Sequence, residues 1–389
     1  MDKEAQRELA KHLAAQFASI RRQGTSTASS TSASTSANAA NDANIAELAS
    51  RLGKLMTQTP ATPSPVQSQT GAISFESVPD PSIYEQDFVN TYTKVNESVK
   101  QMEDRELLDL ASDSMPISQF FEEAEAMAAE HPEDGIDDAV IRRLLHWFKN
   151  DFFMWVNEPP CTSCQGKTIF IAGAAPTPQE QADGAGMVET YRCSQSCTEV
   201  TRFPRYGGVP KILFETRRGR CGEWAHTFTV CCRALGYKAR YVHDTTDHVW
   251  TEVWSEHKKR WIHCDSCEAA YDQPLLYSTG WGKTLSYCVA FSAEEVVDVT
   301  RRYTVDYDAV VTKRRRSIRE AVLAKFLHLL SEANLARSGL GPSDVQAVRE
   351  RQALERDDLL AKNGDSRAVE TQDRESGSVE WGKTRGERR

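Results

Sequence analysis

The sequence predicts an α+β protein in which one helix packs on an antiparallel sheet, and two stretches of the chain carry that prediction. Apolar residues recur at helical spacing from Cys221 onward, and Gly236 stands where a glycine ends a helix. Two sets of side chains then alternate over residues 248–254, and the alternation returns over 261–265 after the polar turn 255–260. Alternation with a period of two predicts strands, and the short turn predicts that they pair in antiparallel fashion.

Three residue types used in nucleophilic catalysis follow one another along this helix and sheet: Cys221, His248 and Asp265. A thiol can attack a carbonyl while an imidazole moves the proton and a carboxylate orients the imidazole. At a helix N-terminus the backbone N–H groups and the dipole lower the pKa of a thiol and can receive an oxyanion. Alternate side chains of a strand share a face, so His248 and Asp265 can meet across the strand pair. The register between the two strands is predicted only to within a residue or two. By residue type alone, a buried structural role is an equally good interpretation.

Two cysteine pairs precede the helix. Cys161 and Cys164 have the spacing of a zinc knuckle, and Cys193 and Cys197 are separated by one more residue. Four thiolates suit one tetrahedral Zn²⁺ with a closed coordination shell, which predicts a structural ion that holds this lobe in front of the helix. Disulfides are the alternative, and the absence of a secretory signal argues against them.

Length and charge exclude several classes of protein. A chain of 389 residues has room for one or two globular units with a substantial core. Its net charge of −9 gives no overall basic surface, so no nucleic-acid partner is expected. The chain has neither the apolar segment of a signal peptide nor an apolar run long enough for a membrane span. Ten cysteines without a secretory signal fit a reducing compartment, so the expected location is cytoplasmic.

Composition divides the chain into consecutive parts. Residues 1–74 combine an N-terminal amphipathic helix, a candidate for binding a partner, with low-complexity linkers that predict disorder. The catalytic core is expected at 75–310, with the zinc-binding lobe at about 158–205. C-terminal helices follow at 311–362, and a charged, disordered tail at 363–389.

Apolar spacing also predicts individual helices outside the central sheet. They lie at 2–22, 45–56, 117–130, 137–156, 317–336 and 343–361.

Long motifs lie close together around the three candidate residues. They read RFPRY at 202–206, ETRRGRCGEW at 215–224, DHVWTEV at 247–253 and WIHCDSCE at 261–268. In this order they resemble the motifs of the cytoplasmic peptide:N-glycanase family, which belongs to the transglutaminase-like superfamily. The resemblance continues through PLLY and GWGK and covers residues 135–305.

This resemblance implies a transglutaminase-like (papain-like) core with the catalytic cysteine at a helix N-terminus. It implies hydrolysis of the amide that joins the first N-acetylglucosamine of an N-glycan to asparagine, so that the glycan leaves as a glycosylamine and aspartate remains. By motif position, Cys221 is the nucleophile, His248 is the base and then the acid, and Asp265 holds the imidazole.

Three further residues fall at positions that line the family's pocket for the chitobiose core: Glu252, Trp261 and Glu268. Their chemistry suits that role, because tryptophan offers a flat apolar face and carboxylates accept hydrogen bonds from hydroxyl and acetamido groups. Core packing is the alternative interpretation for Trp261.

The resemblance also implies a cellular role. The family acts on N-glycosylated, unfolded polypeptides in ER-associated degradation, which places it in the cytoplasm and is compatible with the nucleus. In the short fungal-type architecture, which this chain resembles, terminal helices contact a ubiquitin-like, proteasome-shuttling receptor. Two alternatives stay open: a transglutaminase-like protease with the same triad, and a non-catalytic, zinc-stapled scaffold that links a proteasomal receptor to clients.

Overall fold

The computed structural model describes most of the chain from residue 75 onward: residues 75–130, 135–195, 197–361, 374–377 and 379. The predicted helices at 2–22 and 45–56 lie outside these residues, as do the linkers before residue 75 and most of the predicted tail. Among the described residues, no helix has the length and apolar character that a membrane crossing requires. The described residues divide into two compact units.

The smaller unit contains residues 75–93 and 317–329. Its two segments are joined at Glu85, whose carboxylate accepts the backbone N–H of Arg319 (2.8 Å) and two N–H groups of its guanidinium (2.9 and 2.8 Å). Lys325 donates to the carbonyl of Val78 (2.7 Å), which adds a second link.

Outside the sheets, helices account for most of the described residues of both units. They are α1 (Gln86–Lys100), α2 (Arg105–Ser114), α3 (Ile117–Glu130), α4 (Ile136–Trp147), α5 (Pro178–Ala182), α6 (Ile212–Thr216), α7 (Cys221–Ala234), α8 (Thr300–Tyr303), α9 (Tyr307–Lys313), α10 (Glu320–Arg337) and α11 (Pro342–Ala361). The helix predicted at 137–156 is too long: α4 ends at Trp147, widens into a π turn over Phe148–Phe152, and gives way to a strand. The aromatic side chains after Trp147 fit a buried turn as well as a helix, and spacing alone does not separate the two.

The strands form three sheets. They are β1 (Met154–Trp155), β2 (Thr168–Ala174), β3 (Ala185–Cys193), β4 (Val200–Tyr206), β5 (Arg218–Gly219), β6 (Ala239–Asp244), β7 (His248–Ser255), β8 (Arg260–Asp265), β9 (Ala270–Tyr271), β10 (Cys288–Phe291) and β11 (Val296–Asp298). The central sheet is antiparallel, in the order β11-β10-β6-β7-β8-β9. The lobe carries the antiparallel sheet β2-β3-β4, and β1 pairs with β5 in parallel.

The central sheet is covered on both faces. Helix α7 packs on β6 and β7, and the hydroxyls of Thr229 and Thr251 meet at 2.8 Å across that contact. The other face carries a buried aromatic cluster that includes Trp250, Tyr277 and Tyr303. Every residue of β7 is therefore buried, although its sequence alternates in the manner of a half-exposed strand. The predicted α+β architecture, a helix on an antiparallel sheet, is confirmed.

Candidate active site

Cys221 is the first residue of α7, as the sequence predicts. Arg220, just before it, has an extended backbone (φ −118°, ψ −166°). Gly219 is required here, because a Cβ at this position would collide with the side chain of Glu223. The first N–H groups of a helix have no partner within it, so the backbone around Cys221 presents donors.

The first turn of α7 is fixed from the lobe. The carboxylate of Glu223 accepts the backbone N–H of Arg220 (3.0 Å) and two N–H groups of Arg205 on β4 (2.9 Å each). Glu189 on β3 accepts N–H groups from both Arg205 and Arg220 (2.9 Å each). Buried charges paired in this way resist separation, so the lobe holds the helix start in place.

His248 and Asp265 are in direct contact. Nε2 of His248 lies 2.8 Å from Oδ2 of Asp265. The same carboxylate accepts the hydroxyl of Tyr277 (2.9 Å) and the backbone N–H of Cys267 (2.8 Å). Burial tends to raise the pKa of Asp265, but His248 and these donors outweigh it and hold the pKa below its usual range. Asp265 is therefore an anion held in one orientation.

A further histidine supports the carboxylate through Tyr277. The backbone N–H of Gln273 donates to Nδ1 of His263 (3.3 Å), so the ring proton is on Nε2, which lies 2.6 Å from the tyrosine oxygen. His263 thus donates to Tyr277, and Tyr277 donates to Asp265. Sequence patterns assigned no catalytic role to His263 or Tyr277, because their contact joins β8 to a turn 14 residues away.

The hydrogen bond to Asp265 also fixes the state of the His248 ring. With the proton on Nε2, Nδ1 carries the lone pair, and within the described part of the chain Nδ1 has no hydrogen-bond partner. The rings of Trp281 and Tyr277 pack against the imidazole at 4.9 and 5.1 Å. Burial lowers the pKa of His248. The ring is therefore neutral near pH 7 and can act as a base.

The pKa of the Cys221 thiol differs from the one that the sequence predicts. A helix N-terminus was expected to lower its pKa, but burial raises it to about 11. Desolvation of a charged thiolate outweighs the helix dipole at this position. The resting thiol is thus protonated, and a base must remove its proton during the reaction.

A cleft of about 650 Å³ opens beside these residues. Its walls are residues 149–155, Asn157, Trp224, Cys267 and 375–377. Trp224 follows Cys221 by one helical turn, and Cys267 follows Asp265 by two residues. The cleft wall therefore includes close sequence neighbours of Cys221 and Asp265, and the cleft has room for a chain segment or part of a sugar.

Glu252 and Trp261 lie in the interior rather than on the cleft wall. The Glu252 carboxylate accepts N–H groups from Arg240 and Arg302 (2.6 Å each) and the hydroxyl of Tyr303 (2.6 Å). Burial tends to raise the pKa of Glu252, but the two guanidinium groups outweigh it and bring the pKa to about 2. Trp261 is 1% exposed and lies 4.0 Å from the Arg240 guanidinium. Sugar contacts by these residues stay a prediction.

We expect Glu252→Ala to lower the free energy of unfolding by about 3–5 kcal/mol, because it removes one of the two carboxylates, Glu252 and Glu355, that neutralise the buried guanidinium groups of Arg240 and Arg302. Glu256→Ala, on the same hairpin, breaks exposed pairs with Lys238 and Lys259 and should cost no more than about 1 kcal/mol. Chemical denaturation of both variants measures the difference. Equal losses would contradict the structural role of Glu252.

Glu268, the third predicted sugar contact, is held by the chain's own C-terminal part. Its carboxylate oxygens accept the backbone N–H groups of Glu375 (2.8 Å) and Ser376 (3.0 Å). Burial and the nearby charge of Asp265 raise the pKa of Glu268. The residue is close to the candidate triad, and its direct contact with a sugar stays a prediction.

The four predicted metal ligands come together in the lobe. The Sγ atoms of Cys161, Cys164, Cys193 and Cys197 all lie within 4.8 Å of one another. Individual Sγ···Sγ distances of 3.2–3.5 Å exclude disulfides and are near the ~3.8 Å edge of a tetrahedral ZnS₄ site. Backbone N–H groups of Cys164 and Ser163 lower the pKa of Cys161 to about 6. The cluster fits a metal ion, and the extra residue between Cys193 and Cys197 does not prevent this.

Comparison with known proteins defines the class. A model of the transglutaminase-like superfamily matches residues 171–266, and a model of the Rad4 transglutaminase-like domain matches residues 238–359. Together with the helix-on-sheet core and the cysteine lobe, these matches place the chain in the transglutaminase-like superfamily, and the predicted fold is confirmed.

Curated relatives narrow the class to a family. The chain is 42% identical over 293 residues to the peptide-N(4)-(N-acetyl-beta-glucosaminyl)asparagine amidase of Yarrowia lipolytica. This alignment covers 74% of the chain and 81% of the relative. The chain belongs to this amidase family, as its motifs implied. It is also 41% identical over 324 residues to the Gallus gallus protein of that name. This alignment covers 79% of the chain but only 48% of the relative, so the chain spans about half of that protein's length.

A solved structure, the crystal structure of Rad4-Rad23 crosslinked to an undamaged DNA, is also similar. Its identity to this chain is 15% and the TM-score is 0.45, over 74% of this chain and 60% of that one.

Proposed function

We propose that the chain is a cysteine-dependent amidase that removes N-linked glycans from asparagine and leaves aspartate. The observation that carries the proposal is the His248–Asp265 hydrogen bond of 2.8 Å, which leaves the Nδ1 lone pair of His248 available as a base, while Cys221 starts helix α7. The name of these relatives, peptide-N(4)-(N-acetyl-beta-glucosaminyl)asparagine amidase, supports the same reaction.

The first half of the reaction forms a thioester. Nδ1 of His248 takes the proton of Cys221, and the sulfur attacks the carbonyl carbon of the glycosylated asparagine side chain. Backbone N–H groups at the start of α7 receive the oxyanion. The imidazolium then gives its proton to the departing nitrogen, so the C–N bond breaks and the glycan leaves as a glycosylamine. Asp265 stabilises the imidazolium without taking its proton.

The second half releases the product by hydrolysis. Nδ1 of His248 takes a proton from water, the hydroxide attacks the thioester carbon, and the C–S bond breaks. The proton returns to the Cys221 sulfur, and an aspartate side chain remains on the polypeptide. Because the Cys221 thiol is protonated at rest, both halves depend on the position of the base.

We expect Asp265→Asn to lower kcat about a thousandfold or more, because an amide favours the wrong imidazole tautomer and cannot stabilise the imidazolium. Tyr277→Phe removes one donor to the carboxylate and should have a much smaller effect. Steady-state kinetics on a glycopeptide compare the two variants. A kcat for Asp265→Asn close to that of the wild type would refute the assigned role.

The metal ion in the lobe is proposed to be one structural Zn²⁺. Cys161, Cys164, Cys193 and Cys197 would hold it, and four protein ligands leave no coordination position for water. Such an ion would stabilise β2–β4 and, through Glu189 and Arg205, the first turn of α7.

The proposed substrates are unfolded, N-glycosylated polypeptides met during ER-associated degradation, in the cytoplasm and also the nucleus. An unfolded segment suits the chemistry, because the reacting amide must reach a half-buried sulfur at the start of α7. The proposed partner is a ubiquitin-like, proteasome-shuttling receptor that contacts the terminal helices. Neither a nucleic acid nor a membrane is part of the proposal.

Incubation of the purified chain with a denatured N-glycoprotein tests the function. Mass spectrometry should find free glycan and aspartate at the former glycosylation sites, with the polypeptide intact. Cut polypeptides would favour the protease, and an unchanged substrate with folded, zinc-loaded protein would favour the scaffold.

A further inference from the structure

Residues 374–377 form a short segment, here called the strap, that lies against the candidate active site. Its backbone donates the two hydrogen bonds to Glu268 described above. Nε of Arg374 closes the strap on itself by donating to the carbonyl oxygen of Ser376 (3.0 Å). Arg374 is 3% exposed, although it is a long charged residue far along the chain from the triad. Arg374 and Ser376 of the strap are thus buried, whereas the Glu375 side chain between them is exposed.

The strap lies between the aromatic side chains that pack on His248 and the cleft. The guanidinium carbon of Arg374 lies 4.5 Å from the ring centre of Trp281, and the Trp281 ring in turn packs on His248 at 4.9 Å. The cleft wall includes three strap residues, Glu375, Ser376 and Gly377. Trp224 and Cys267 line the same cleft. Anything that enters the cleft meets the strap.

The charges around Cys221 give the strap a chemical role. Ionisable groups that act on the thiol come from several elements: Arg205, Glu223, Tyr241, Asp247, Cys267 and Arg374. Burial is the largest influence and raises the pKa of Cys221, Asp247 and Glu223 raise it further, and Arg374 and Arg205 lower it. Arg205 is shared between the carboxylates of Glu223 and Glu189. Arg374 has the larger lowering effect of the two cations.

We propose that the strap is a working part of the active site, in which Arg374 offsets the negative charge that forms on Cys221 during attack. Its backbone fixes Glu268 at the same time. Arg374 acts through the sulfur rather than by touching the substrate, so it is a positioning residue. This inference rests on the proposed function in one respect, that Cys221 is the nucleophile.

Alkylation of Cys221 by iodoacetamide tests the proposal without a glycan substrate. The rate at the Cys221 peptide is followed by mass spectrometry in the full chain, over a range of pH below the pKa of the thiol. There the rate is proportional to the thiolate fraction, so loss of the cation in Arg374→Gln should lower it about tenfold at each pH. Arg374→Lys keeps the charge and should restore most of the rate. Arg349→Gln makes the same chemical change at an exposed ion pair with Glu332 and should leave the rate unchanged.

The alkylation and deglycosylation rates of Arg374→Gln together decide whether the strap has this role. Folded Arg374→Gln with the wild-type alkylation profile, or with faster deglycosylation, overturns the proposal, the latter because the strap would then be an obstructing lid. If Arg374→Gln does not fold, Arg374→Met takes its place in the full chain, and a wild-type profile there overturns the proposal equally. If the wild type fails to deglycosylate but Arg374→Gln still slows alkylation, the strap is supported and the amidase assignment falls.

Discussion

Cys221→Ala is expected to abolish deglycosylation, with kcat reduced at least about ten-thousandfold. Removal of the sulfur removes the atom that forms the proposed thioester. The variant should fold normally, since it deletes one atom at the start of α7 and leaves the bonds of Glu223 to Arg220 and Arg205 intact. Single-turnover assays on a denatured glycoprotein measure the loss.

Cys231→Ala is the matched control for this substitution. Cys231 lies in the same helix and is fully buried, and burial alone raises its pKa. It should retain activity within a small factor. Turnover by Cys221→Ala comparable to that of Cys231→Ala would remove Cys221 from the mechanism.

Cys161→Ser is expected to abolish binding of the proposed zinc ion and to destabilise the lobe. Structural Zn²⁺ in small cysteine sites contributes an apparent binding free energy of about 10–16 kcal/mol at neutral pH, and this energy is coupled to folding. Deglycosylation should fall as well, because Glu189 and Arg205 of the lobe anchor the first turn of α7. Metal analysis together with thermal unfolding measures both effects.

Ser163→Ala provides the comparison for the zinc site. Its exposed side chain lies between the two ligands Cys161 and Cys164, and the substitution keeps the backbone N–H that supports Cys161. It should bind one zinc ion per chain and unfold like the wild type. A Cys161→Ser protein with the same zinc content and unfolding midpoint would contradict a four-cysteine structural site.

Local sequence carries enough information for the parts of the site that lie in one helix and one hairpin. Spacing placed a helix start at Cys221, and parity placed His248 and Asp265 on the same side of two paired strands. The observed register pairs Thr251 with Cys264, so the two side chains meet diagonally rather than directly opposite. That offset is within the one or two residues that alternation leaves undetermined.

The features that sequence patterns missed depend on contacts between distant segments. Glu252 is enclosed by Arg240, Arg302 and Glu355, the last of which belongs to α11, and no periodicity relates these positions. The strap contacts Glu268 across 107 residues of sequence. The raised pKa of Cys221 likewise comes from the depth at which α7 is packed, whereas helix position alone favours a lower one.

The most direct test of the central claim is deglycosylation in water labelled with heavy oxygen, with the wild type and Cys221→Ala side by side. Hydrolysis of a Cys221 thioester predicts intact polypeptide whose former glycosylated asparagine is now aspartate with one heavy oxygen atom, and no product from the variant. Cleavage that leaves N-acetylglucosamine on asparagine, or labelled aspartate formed equally by Cys221→Ala, would contradict the account.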